Sequence, residues 1–215
     1  LKKRYKKKLN NLLKIDKKFA GSLNNLEKLR YIFFPLHFQP ERSTLPEGVH
    51  YDKQNMAIEL LSENIPENLK IIVKDHPKQY YSDLRNYFYR DKNYLKNLEK
   101  IKNVIVVNSN HNYENLFKNS ILTATISGSI SWQSLIEGIP TITFSDTWLS
   151  DCKSTKLIIK SKNIKDDIEF LLRKKKSEVQ NDVIEFIEKN QKYFLETVVY
   201  SKHLRFFKNQ KEKPI

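Results

Sequence analysis

The sequence predicts an α/β protein: a parallel β-sheet covered by helices on both faces, with a helical C-terminal region. Three observations carry this. Short apolar runs recur along the chain and are near-continuous rather than alternating, the pattern of strands buried on both faces. Longer stretches with helical spacing separate them, leaving room for a crossover helix after each strand. Polar clusters follow directly after the strands, and in such sheets ligands bind at the carboxyl ends of the strands, where the strand order reverses.

Residues 1–19 place Tyr5, Leu9, Leu12, Leu13 and Phe19 near one face of a helix, with lysines elsewhere. Such a helix lies on a membrane surface or packs against a neighbouring domain, and Gly21-Ser22 breaks it. "YIFF" (31–34) is the first strand, followed by a polar loop over 35–50 and a helix over 51–64. "LKIIVKD" (69–75) is the second strand, followed by His76-Pro77 and a helical stretch that ends near Lys100. "NVIVVNS" (103–109) is the third, with a short helix over 112–118. "ILTATIS" (121–127) is the fourth and runs through Gly128 into a helix over 130–137. Gly138-Ile139-Pro140 turns into the fifth, "TITFS" (141–145), and "KLIIK" (156–160) reads as a sixth. The remainder reads as helices ending near Lys208. The expected division is a basic helical segment over 1–29, a sheet domain over 30–175, and C-terminal helices with a basic tail over 176–215.

A chain of 215 residues is long enough to bury a real core, and 39% apolar with 30% charged residues places it among folded proteins. No apolar run approaches the roughly 18 residues of a membrane span, and no signal-peptide pattern opens the chain. Leu1 is not an initiator methionine, so the chain is expected to be a piece of something longer. The lone Cys152 rules out an internal disulfide, fits a reducing, cytoplasmic setting, and reads as a buried small hydrophobe.

The net charge of +14 is unevenly spread. Residues 1–30 hold 11 Lys/Arg against 2 Asp/Glu and residues 200–215 hold 5 against 1, which leaves 31–199 near neutral at +1. A nucleic-acid reader carries a basic patch interleaved with aromatics on its folded face, so no nucleic-acid partner is expected. The basic ends suit an anionic membrane surface or a protein partner, and a Lys-, Asn- and Ile-rich background composition accounts for them equally.

Four loops at the expected carboxyl edge carry groups able to do chemistry. The first holds His37, Gln39, Glu41 and Arg42; the second is Lys74-Asp75-His76-Pro77-Lys78; the third is "SNHN" (109–112); the fourth is "SGSISW" (127–132). In the fourth, Gly128 allows close backbone approach, Ser129 caps the following helix and Ser131 lies in its first turn. The N–H groups there suit a phosphate, and an ordinary capped helix accounts for the same residues. His76, fixed by Pro77 between Lys74 and Lys78, adds a donor for a phosphate. The glycines at 21, 48, 128 and 138 form neither GxGxxG nor GxxxxGK[ST], and HExxH, CxxC, Asp-x-Asp and GxSxG are all absent. No metal is therefore expected. Asp166-Asp167-Ile168-Glu169 looks metal-like but opens a helix, where acids favour the dipole.

"FFPLHFQPERSTLPEG", "IIVKDHPK" and "TISGSISWQSLIEGIPTITF", in this order and spacing, resemble the capsule polysaccharide biosynthesis family, which includes bacterial capsule Kdo transferases; the resemblance covers residues 31–150. It implies a GT-B glycosyltransferase of two Rossmann-like domains with the active site between them. This chain then looks like the C-terminal, nucleotide-binding half, and the N-terminal acceptor domain is missing from it. Gln39-Pro40 and His76-Pro77 match the Gln-Pro and His-Pro motifs that line the CMP-sugar site in the Kdo members. By the same resemblance Gln39, Glu41 and His76 are the candidate catalytic residues. Lys74, His76, Pro77, Ser127, Gly128, Ser129, Ser131 and Glu137 would bind the nucleotide and its phosphate. His37, Gln39 and Arg42 would bind the sugar, since Arg suits a carboxylate. Where relatives read "GTAGWEAL" this chain reads "GSISWQSL", so Gln133 replaces an acid. The implied activity is metal-free transfer of a sugar, Kdo from CMP-Kdo in the named relatives, to a glycan or glycolipid acceptor. Donors and a helix dipole would stabilise the departing phosphate. A UDP- or GDP-sugar donor stays open, as do a CDP-polyol phosphotransferase and a non-catalytic scaffold module of a capsule-synthesis complex. The expected setting is cytoplasmic, with peripheral contact at the anionic inner face of the membrane.

Overall fold

The computed structural model describes residues 2–19, 28–80, 91 and 93–193. The expected break at Gly21-Ser22, most of the helical stretch after His76, and the helices beyond 193 lie outside the described residues.

Six strands form one sheet: β1 (Tyr31–Pro35), β2 (Lys70–Lys74), β3 (Val104–Val107), β4 (Leu122–Thr125), β5 (Thr141–Thr143) and β6 (Thr155–Leu157). The order is β3-β2-β1-β4-β5-β6 and every pair is parallel. This is the doubly wound, Rossmann-like order, and it reverses between β1 and β4.

The apolar runs have this form because each strand feeds two cores at once. Along β1, Ile32 and Phe34 join one cluster with Ile71, Val73, Ala124 and Ile142. Tyr31 and Phe33 join the other with Ile72, Val107, Leu116 and Ile130. All four are fully buried. The first cluster is covered by α2 (Gln54–Asn64), α3 (Tyr94–Glu99) and α6 (Ile164–Arg173), the second by α4 (Tyr113–Lys118) and the start of α5 (Ile130–Ile136). The Tyr31 hydroxyl, buried with its ring, donates to Leu116 O at 2.7 Å. A third cluster joins Leu135 of α5 to Leu149, Cys152 and three residues of α7 (Lys176–Asn190). Cys152 is buried there, and burial pushes its thiol up.

Several boundaries differ from the sequence reading. The helix expected from residue 51 begins at Gln54, after a short 3-10 turn over Val49–Tyr51. The sixth strand ends at Leu157, where Ile158–Lys160 tighten into a 3-10 turn. α5 stops at Gly138, whose φ of 75° is the left-handed conformation that ends helices. Asp166 and Asp167 do open a helix, α6, capped by Asn163.

α1 (Lys2–Lys18) does not depend on an outside partner for its C-terminal end. Phe19 is buried in the first core cluster with Ile15 packed against it. Asp16, 1% exposed, accepts from Ser109 N at 2.9 Å and Ser109 Oγ at 2.7 Å, just beyond β3.

Candidate functional site

A cleft of about 360 Å³ opens at the carboxyl edge of the sheet, where β1 and β4 are neighbours. Its lining includes His37, Glu41 and Ser43 from the loop after β1, His76 from the loop after β2, and Tyr113 from α4. Thr125, Ser127, Gly128 and Ser129 come from the end of β4 and the turn into α5. Three of the four polar loops meet here because parallel strands end on one edge.

The loop after β1 is held rigidly by two buried amides. Gln54 on α2 accepts from His37 N at 2.7 Å and donates to His37 O at 3.2 Å. Gln79 accepts from Gln39 N at 2.9 Å and donates to Gln39 O at 3.1 Å. Each primary amide thereby satisfies one backbone donor and one backbone acceptor that no strand partner reaches. Between these two clamps the His37 ring is pinned as well. Its Nδ1 lies 2.9 Å from Ser43 Oγ and its Nε2 lies 2.9 Å from Thr125 Oγ1.

The directions of these bonds follow from their ends. Ser43 donates its proton to Glu41 Oε2 at 3.0 Å, so its oxygen accepts from His37 Nδ1–H. In the neutral ring Nε2 then accepts from the Thr125 hydroxyl, whose oxygen accepts from Gly128 N at 3.1 Å. A continuous chain of hydrogen bonds thus joins the Glu41 carboxylate to the turn before α5. The His37 ring, 3.8 Å from the carboxylate, and the Ser43 hydroxyl hold Glu41 below the ordinary carboxylate range. Its side chain is 49% exposed at the cleft.

His76 contributes a different face. Its Nδ1 accepts from Lys78 N at 3.1 Å, which leaves the proton of the neutral ring on Nε2. Burial pushes this imidazole below its usual range, against the pull of Asp75 and Glu41. Asp75 orients the loop, accepting from His76 N at 2.8 Å and from the Tyr80 hydroxyl at 2.9 Å. Tyr113 lines the cleft edge-on to Phe33, and burial raises its phenol to about 12, so at neutral pH it is a protonated donor. Its hydroxyl donates to Gln133 Oε1 at 3.1 Å.

Of the residues singled out from sequence, His37, Glu41, His76, Ser127, Gly128 and Ser129 line this cleft. Ser129 is the N-cap residue of α5, but its side chain makes no capping bond; Ser131 instead donates to Gly128 O at 2.8 Å. Gln39 is buried, and its side chain donates to Asp52 O at 2.7 Å, so it braces the loop. Arg42 turns outward, 87% exposed, and pairs with Glu47 at 2.8 Å. Lys74 is buried and donates to Ser109 O at 2.5 Å, beside Asp16 and Asp75. Pro77 is itself exposed and opens a 3-10 turn over Pro77–Tyr80 whose second half, Gln79 and Tyr80, is buried. Glu137 stands at the other edge of the sheet, because α5 runs back against the strands and carries its C-terminal end to the neighbourhood of Arg30 and Ile121. Sequence reasoning did not find Ser43, Thr125, Tyr113, Gln54 or Gln79. Among the described residues no group of three or more His, Cys, Asp or Glu is placed to hold a metal ion, and no helix is long and apolar enough to cross a membrane.

No family model matches the chain, and no curated protein matches it in sequence. Among solved structures it is similar to a UDP-GlcNAc 2-epimerase from Methanocaldococcus jannaschii, with 16% identity over 83% of this chain and 49% of the other, at a TM-score of 0.47. A UDP-GlcNAc 2-epimerase from Neisseria meningitidis bound to UDP-GlcNAc gives 15% identity over 83% and 49%, at 0.45. A trehalose-6-phosphate synthase gives 14% over 81% and 46%, at 0.47. The chain spans about half the length of each of these proteins. The likeness is one of chain path and does not bear on what this chain binds.

Proposed function

We propose that this chain is the nucleotide-sugar-binding half of a two-domain GT-B glycosyltransferase. A second domain would hold a glycan or glycolipid acceptor in surface-polysaccharide synthesis. The cleft at the reversal of strand order carries the reading, since that is where doubly wound sheets bind nucleotides. Its walls have complementary chemistry. Ser127 Oγ donates to Ser43 O at 2.8 Å and Gly128 N to Thr125 Oγ1, which leaves the Ser129 hydroxyl and the Nε2–H of the neutral His76 ring as donors suited to a phosphate that gains charge as the glycosidic bond breaks. The loop 37–43 offers acceptors suited to sugar hydroxyls. The capsule-family resemblance of residues 31–150 supports polysaccharide synthesis as the setting.

Calorimetric titration of the chain with CMP, CDP, UDP and GDP, with and without magnesium, tests this. Saturable binding of one nucleotide is expected, unaffected by magnesium and weakened at least tenfold in His76→Ala, the loss of a charge-assisted hydrogen bond. Binding of none of the four overturns the reading.

A further inference from the structure

Resting on the donor-domain reading, we infer that the sugar carried by the donor is uncharged, and that the cleft discriminates against sugars bearing a carboxylate. The charge inventory of the cleft decides this. Glu41 is a carboxylate on its wall, and no lysine or arginine lines the cleft among the described residues. Of the three cations that the sequence places nearest, Lys78 is exposed beside His76 and outside the cleft lining, and the other two are committed elsewhere. Arg42 pairs with Glu47 on the outside of the loop, and the Lys74 ammonium is buried against Ser109 O.

The imidazoles do not compensate. Both ring nitrogens of His37 are engaged, by Ser43 and Thr125, and the ring is buried. Nδ1 of His76 accepts from the backbone, and burial disfavours its cationic form. The two walls also divide the work. The Ser129 hydroxyl and His76 Nε2–H suit the phosphate, which leaves the sugar facing Glu41. Sugar hydroxyls donate to a carboxylate, whereas a sugar carboxylate there meets a like charge with no cation between them. Glu41 thus serves as an acceptor that also repels the wrong donor.

The test compares donors that differ only in the carboxylate, on whichever base the nucleotide titration selects: UDP-glucose against UDP-glucuronate, or GDP-mannose against GDP-mannuronate. A like-charge contact in a partly exposed cleft is expected to weaken uronate binding roughly 10- to 100-fold. That gap should narrow in high salt. It should close in Glu41→Gln, which keeps the acceptor for Ser43 and loses the charge. Uronate binding within twofold of the neutral sugar overturns the inference, as does a gap that neither salt nor Glu41→Gln changes, or tight binding of CMP-Kdo by a chain that selects CMP. In these cases bare nucleotide still binds and the donor reading stands. Absence of any nucleotide binding overturns the donor reading itself. The wild-type ratio and its salt dependence need no variant, so poor folding of Glu41→Gln leaves the test intact.

Discussion

In Gly128→Ala the new methyl group would lie 2.7 Å from Thr125 Oγ1 and 3.2 Å from both Cε1 and Nε2 of His37. Neither neighbour has room to retreat. Thr125 Oγ1 holds Nε2 of His37 and N of Gly128, and the His37 backbone is clamped by Gln54. Relief of the contact therefore lengthens one or both hydrogen bonds at Thr125, at about 1–3 kcal/mol for buried polar groups left poorly paired. The φ of Gly128 is not left-handed, so alanine fits the backbone and recovers about 0.4–1 kcal/mol through the unfolded chain. The net expectation is a loss of about 0–2.6 kcal/mol, read as a lower urea midpoint at unchanged slope. Thr125→Ala removes the contacting oxygen, so the same Gly128→Ala change should cost at least about 1 kcal/mol less in that background. Additivity of the two substitutions within about 0.5 kcal/mol would refute the claim that Gly128 is required by its approach to Thr125.

Three further outcomes are expected. Gln54→Ala strands the N–H and C=O of His37 in a buried position and should cost about 2–5 kcal/mol in chemical denaturation, far more than a surface glutamine would. Asp16→Ala leaves Ser109 N–H without its acceptor and removes one of the two carboxylates beside Lys74, for a loss of about 2–4 kcal/mol; stability unchanged by this variant would mean that α1 is not anchored through Asp16. The folded-state pKa of His76 is depressed below its ordinary 6.5, so the unfolded chain takes up this proton first. Its contribution is intact above pH 6.5 and is lost as pH falls below that value. Denaturation midpoints measured from pH 8 to pH 5 should decline more steeply for the wild type than for His76→Gln, and parallel profiles would contradict the assignment.

What could be read from the sequence depended on how local the cause was. The strands were legible because "YIFF" and "IIV" are apolar on both faces, which a two-faced sheet alone requires. The convergence of His37, His76 and Ser127 was legible for the same reason, since parallel strands present their following loops on one edge. The residues that hold the site were not. Gln39 and Lys74 looked functional by type, yet one donates to Asp52 O and the other to Ser109 O. Glu137 lies one helix length from the cleft because a crossover helix reverses direction. One supporting residue did leave a trace. The buried stripe of α2 runs Gln54, Ala57, Ile58, Leu61 and Ser62, and a glutamine at a stripe position announces a buried partner. Thr125 left none, because threonine is common in strands for its branching alone.

The twin amide clamps have a consequence for how the loop after β1 behaves in heavy water. Amides in irregular surface segments ordinarily trade their protons for deuterium within the lifetime of local openings. Here Leu36 N is donated to Lys74 O, His37 N to Gln54 and Gln39 N to Gln79, all at 2.7–2.9 Å. Release of any of them requires α2 or the 76–80 turn to move with the loop. These three amides should therefore exchange on the timescale of the β1 strand itself, so that the rigid body of the sheet extends past its last rung to the edge of the cleft.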